Sequence, residues 1–178
     1  MNLFRTPVVV LITVAMIGCA APASRDSMSI SSTERATYTT DKFLSKSISV
    51  GKVIGGEETN PAWTSEIDNE SFASALKDSL ETAKLLNSDS LSNYVLDAVL
   101  VEVDQPMMGF TFTVKTEVQY SLRHKDSQDI VLQQTINATG TATTGDAFMG
   151  VKRLKIANER SAQENIKRII DVLYHYEK

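Results

Sequence analysis

The chain has 178 residues, with 18 Lys and Arg against 22 Asp and Glu, a formal net charge of −4, and 42% apolar residues. This mildly acidic balance, with no clustered basic face, excludes the usual electrostatic footprint of a nucleic-acid binder. A single cysteine excludes an internal disulfide, so stability must come from a packed core, which a chain of this length can build as one domain.

Residues 1–18 begin with a short region whose only charge is Arg5 and continue in a run, Val8 to Ile17, that is apolar apart from Thr13. Crossing a bilayer takes about 20 apolar residues, so this run is too short. A positive start, a short apolar stretch and a small residue together form the pattern of a secretory signal peptide. The stretch closes on Met16-Ile17-Gly18-Cys19, which resembles the lipobox of bacterial lipoproteins, with Met16 standing where that motif usually has leucine. The resemblance implies cleavage before Cys19 and acylation of its sulfur and its new amine. The bland alternatives are a buried free thiol or a short anchor that is never cut. Each acyl CH₂ buried in lipid contributes ~0.8 kcal/mol, and more than one chain makes attachment stable. By the same resemblance, a residue other than aspartate after the cysteine, here Ala20, favours the outer membrane, facing the periplasm. Loss of Arg5 with the signal leaves a net charge of about −5, so membrane contact is expected from the acyl chains rather than from charge.

From Cys19 to about Lys42 the sequence is dominated by Ser, Thr and Ala. Such a composition offers little surface to offset the entropy of ordering, and it predicts a flexible spacer. Its root-mean-square span would be roughly 25–30 Å. The alternative is that part of it pairs as an edge strand.

The folded body is expected over 43–178. "KSISVGKVI" reads as a first strand with Ile48 and Val50 on one face, followed by a loop marked by Gly55-Gly56 and Pro61, with Trp63 as a plug over one end of the core. "DNESFASALKDSLETAKLLN" reads as a helix capped by Asp68 or Asn69, its stripe formed by Phe72, Ala75, Leu76, Leu80 and Ala83. "YVLDAVLVEV" is a second strand. "GFTFTVKTEVQYSL" is a third, with Phe110, Phe112, Val114, Val118, Tyr120 and Leu122 inward. "IVLQQTINATGTAT" is a fourth, with Ile130, Leu132, Ile136 and Ala138 inward. The last helix is expected from about Lys152 to Tyr176, burying Leu154, Ala157, Ala162, Ile166, Ile169, Ile170 and Leu173, with Glu164 and Arg168 paired outside. The order β-α-β-β-β-α predicts an α+β two-layer sandwich: a mainly antiparallel four-stranded sheet, both helices on one face, a Thr/Gln-rich face toward water.

No catalytic constellation holds in the sequence. His124 and His175 have no partners at zinc-ligand spacing, Gly51-Lys52 and Gly55-Gly56 make no phosphate loop, and there is no G-x-S-x-G elbow. Asp97 and Glu102 stand five apart, which on a regular strand sends them to opposite faces. Asp146 reads as a turn or cap residue. No enzyme, cofactor or metal is expected.

Two features could carry function. Along the second strand Tyr94, Leu96, Ala98 and Leu100 face one way and Val95, Val99, Val101 and Val103 the other, so an apolar stripe centred on Val99 and Val101 should interrupt the polar face. Either the loop carrying Trp63 covers it, or it docks another envelope protein or a lipid chain. In the turn "DQPMMGF", Met107 and Met108 either fold back onto the core edge or stand out to touch lipid or a partner, a role to which flexible thioethers are suited. The whole layout resembles small Gram-negative envelope lipoproteins of the lipopolysaccharide-assembly type. It implies a membrane-tethered, non-catalytic accessory protein that binds another envelope protein through its sheet face or strand edge. The alternative is a carrier of lipid or glycolipid, which would need an apolar cavity between helices and sheet.

Overall fold

Both faces of the sheet follow from alternation along its strands, and the helices follow from their apolar stripes. The computed structural model describes residues 20–60 and 64–177. Cys19 with its preceding motif, and Trp63, lie outside the described residues. The elements are α1 (Arg25–Met28), a 3₁₀ turn (Ser32–Thr37), β1 (Ile48–Ile54), α2 (Asn69–Thr82), β2 (Tyr94–Asp104), β3 (Phe112–His124), β4 (Ile130–Ala142) and α3 (Gly150–Tyr174). The sheet runs β1-β2-β3-β4; β1 and β2 are parallel, the other two pairs antiparallel. A parallel pair needs a crossover, and α2 supplies it. This is the expected α+β order.

The Asp68 carboxylate starts α2 by accepting from Ser71 N at 2.7 Å, and the expected stripe from Phe72 to Ala83 is wholly buried. Helix α3 lies along β4 and β3, α2 along β1. The expected inner residues of α3 are all buried, but so are Ser161 and Asn165 among them. Asn165 Nδ2 donates to Ile136 O at 2.9 Å, its Oδ1 accepts from Tyr120 Oη at 2.9 Å, and Ser161 Oγ meets Thr116 Oγ1 at 3.0 Å. Such groups are tolerated inside because each finds a partner. Helix and sheet approach closely at Gly140, where a Cβ would fall 2.2 Å from Ser161 N and 2.3 Å from Ala157 O. Glycine is required there by proximity.

The flexible-spacer reading of residues 20–42 is corrected by the structure. Ala23, Met28, Ile30 and Tyr38 are buried in the main core, in the groove between α2 and α3. The helices supply matching polar groups: Ser24 N and Oγ donate to Glu159 Oε1 at 2.9 and 2.7 Å, Ile30 N to Ser79 Oγ at 3.1 Å, and Gln163 Nε2 to Ser29 O at 2.8 Å. Tyr38 stacks edge-on to Tyr174, and Tyr174 Oη accepts from Thr39 N. A few spaced anchors in a preformed groove suffice where average composition suggests none.

Bulges explain the remaining corrections. Between Leu100 and Glu102, β2 has one residue more than β3, because Leu100 faces Val118 while Glu102 faces Glu117. The extra residue is Val101, and beyond it the phase inverts. Val103 therefore packs against the core instead of joining the stripe, and Glu102 shares the outer face with Asp97. A second bulge at Val131 puts Ile130 opposite Arg123, exposed on the outer face rather than inward. Phe110 precedes β3 and is exposed, not inward. The outer face otherwise presents Thr113, Lys115, Gln133, Thr135, Asn137, Thr139 and Thr141 to water.

Candidate functional site

One end of the sandwich gathers the C-terminal ends of β1, β2 and β4 and the N-terminal ends of α2, β3 and α3. Two loops dominate it. In the β2–β3 connection, Pro106 and Gly109 bracket Met107 and Met108, and Gly109 has φ +150°, a conformation that side chains disfavour. In the β4–α3 connection, Asp146 Oδ2 accepts from Thr143 N at 2.8 Å while Oδ1 pairs with Arg160 Nη2 at 2.7 Å. The Arg160 guanidinium and the Thr143 amide hold the Asp146 carboxyl well below the usual carboxylate range.

Arg153, in the first turn of α3 and 6% exposed, ties the loops together. Its Nη1 donates to Ala147 O at 3.0 Å and Phe148 O at 2.6 Å, its Nη2 to Gly109 O at 3.1 Å, and its guanidinium lies 5.3 Å from the Phe112 ring centroid. With the backbones held this way, the side chains point out. Met107 is 98% exposed, Phe148 93%, Met108 85% and Phe110 83%, with Met149 half exposed. No charged residue occurs in 105–111 or 147–151. Scattered exposed hydrophobics are ordinary; five on two clamped loop segments that carry no charge form a patch.

A groove of about 440 Å³ runs beside this patch, with Val101, Val103, Met107, Ile67 and Leu154 as its apolar wall and Glu57, Glu66 and Glu102 as its polar one. Gln105 Nε2 donates to Glu66 across it. Gly55, at φ +89°, lets the loop after β1 turn under Leu100, whose carbonyl would lie 2.1 Å from any Cβ.

The structure brings Val101, Met107 and Met108 to this end, with Met107 and Met108 standing out. Val99 is half-buried further down β2, opposite Ile54 on β1 and Gln119 on β3. The expected stripe is short, because Asp97 interrupts it by pairing with Arg123 at 2.8 Å and accepting from Lys52 N at 2.8 Å. Exposed Ile54 and Val101 flank Val99 in what remains. Sequence reasoning missed Phe148, Met149 and Arg153. An uncharged Ala-Phe-Met-Gly stretch between a turn and a helix was the available signal, and Arg153 stands four before core Ala157.

The β4 edge is guarded. Arg168 Nη1 donates to Asn137 O at 2.8 Å, Arg160 Nη1 to Thr141 O at 2.6 Å, and Tyr176 Oη to Val131 O at 3.3 Å. Occupied carbonyls on an edge discourage strand addition. His124 packs edge-on to Tyr94 and His175 Nδ1 lies 2.9 Å from Asp171 O of its own helix. Among the described residues no three His, Cys, Asp or Glu side chains gather as metal ligands.

No family model matches the chain, and no curated protein matches it in sequence. Its fold is similar to that of a candidate lipoprotein from Caulobacter crescentus CB15, with TM-score 0.52 and 17% identity over 74% of this chain and 89% of that one. It is similar also to a protein of the family DUF330 from Xanthomonas campestris, with TM-score 0.52 and 14% identity over 71% and 83% of the two chains. A hypothetical protein from Chlamydia trachomatis gives TM-score 0.53 and 10% identity over 72% and 95%. At these identities the likeness establishes the fold.

Proposed function

We propose that the chain is a non-catalytic accessory lipoprotein of the cell envelope, held by acyl chains on Cys19 in the outer membrane and facing the periplasm, that binds another envelope protein through its open sheet face. The name of the similar Caulobacter crescentus protein supports the lipoprotein class. The observation that carries the binding role is the outer face itself. Both long helices pack on the opposite side, and Ile54, Val99 and Val101 interrupt a field of Thr, Gln and Asn at the ends of β1 and β2. The guarded β4 edge favours the face over the edge as the contact.

The carrier alternative expects an apolar cavity between helices and sheet. Phe72, Leu76, Leu80, Tyr120 and Ile166 fill that space, and the groove beside Met107 has three glutamates in its walls. Filled space favours the adaptor.

Crosslinking in intact cells followed by mass spectrometry tests the role. The wild-type chain should yield a reproducible protein conjugate, and the Val99→Thr, Val101→Thr double variant should lose it while keeping its unfolding midpoint. An undiminished conjugate would move the contact off this face. Palmitate labelling of the wild type, absent in Cys19→Ser, tests the anchor.

A further inference from the structure

The end face bearing Met107, Met108, Phe110, Phe148 and Met149 is also the end at which the chain enters the body. Ala20 lines a surface groove together with Gly56, Glu57 and the start of α2, Asp68 to Ser71, and Glu57 in turn lines the groove beside Met107. The chain is pinned at once: Ala21 O accepts from Ser65 Oγ at 2.7 Å, Ala23 N donates to Glu66 O at 3.0 Å, and Ser24 is held by Glu159. Consecutive Cα atoms stand about 3.8 Å apart. A lipid-bearing Cys19 would therefore be one peptide unit from a fixed point on this end, with none of the reach of a loose spacer.

We infer that this end of the body rests on the bilayer, with the side chains of Met107, Met108, Phe110, Phe148 and Met149 inserted among the acyl chains beside the lipidated residue; the inference rests on Cys19 being acylated. A short, pinned attachment leaves the neighbouring end no choice but to meet the membrane surface. The surface it presents is the kind that enters lipid: Met and Phe without charge, on backbones whose carbonyls at Gly109, Ala147 and Phe148 are already occupied by Arg153. Around Ala20 the exposed charges are acidic, among them Glu58 and Glu70, so insertion is apolar and gains nothing from anionic lipid. The orientation also turns Ile130 and Leu91, at the opposite end of the sheet, toward the periplasm.

The experiment uses the acylated chain that begins at Cys19, with Trp63→Phe, in vesicles of phosphatidylcholine carrying bromine on the acyl chains. Phe110→Trp and Phe148→Trp should each be quenched at least threefold more than Ile130→Trp, and equally so when a quarter of the lipid is made anionic. Quenching no greater than at Ile130→Trp, in protein that still floats with the vesicles, overturns the inference and leaves the lipoprotein reading standing. Failure of the wild type to float overturns both. A photo-crosslinker at position 108 in living cells should give lipid adducts; a protein adduct, whether to another chain or to a second copy, overturns the inference as well.

Discussion

Arg153 Nη2 donates to Gly109 O across 3.1 Å, joining α3 to a hairpin 44 residues earlier in the chain. The same guanidinium occupies Ala147 O and Phe148 O. No other single residue touches both exposed loops through so many bonds among the described contacts. Replacing Arg153 with Met removes three charge-assisted donors and leaves carbonyls poorly satisfied, a loss of about 2–3 kcal/mol. Urea unfolding should show the lower midpoint, and hydrogen exchange should rise first at 105–111 and 147–149 while the α2 amides stay protected.

Gly140 provides a sharper test of how tightly α3 is seated. Gly140→Ala sets a methyl against Ser161 N and Ala157 O, both backbone atoms that cannot swing aside. Helix α3 must shift away from β4 at this turn, at about 2–3 kcal/mol. Gly145→Ala, whose nearest neighbour is Thr143 Oγ1 at 3.4 Å, should change stability by less than about 0.5 kcal/mol. Thermal unfolding of the two variants side by side checks the difference.

Met28 decides whether residues 20–42 belong to the body. A spacer residue could be truncated without effect. In the structure Met28 is fully buried between the helices, so Met28→Ala should cost about 2–4 kcal/mol. Denaturant unfolding gives the value, and limited proteolysis should begin to cut near Arg25 and Arg35 in the variant.

What the sequence made readable was periodicity. The stripes of α2 and α3, the alternation from Phe112 to Leu122 and the β-α-β-β-β-α order all depend on regular spacing, and all stand. What escaped it was a phase change hidden inside uniform apolarity. "YVLDAVLVEV" is apolar on both parities, so a bulge at Val101 leaves no mark, yet it moves Val103 inward and puts Glu102 on the face of Asp97. The N-terminal segment escaped because composition averages over Met28, Ile30 and Tyr38, while packing uses them one at a time. Met107 and Met108 could be singled out, though not as buried or exposed, while their companions Phe148 and Met149 escaped, because the β3–β4 register and the Arg153 bonds that bring the two loops together are long-range.

Acid should loosen the end face before the core. The Asp146 carboxyl is held well below its ordinary value of 3.8, first by the hydrogen bond from Arg160 and then by the Thr143 amide. A carboxyl depressed in the folded state binds its proton more weakly there than in the unfolded chain, so folding is favoured while it stays ionised. That contribution is complete above about pH 5 and is withdrawn as the pH falls through the ordinary carboxylate range toward the depressed folded value. Protonation then releases both Arg160 and the turn from Thr143 to Asp146, leaving the rest of the loop held by Arg153 through Ala147 O and Phe148 O. In a wild-type titration followed by amide NMR, the Thr143 and Asp146 amides should shift only under strongly acidic conditions. Asp146→Asn should be less stable at pH 7, and the gap from wild type should close as the pH falls. A gap that stays constant down to pH 2 would mean that the ion pair does not hold the loop.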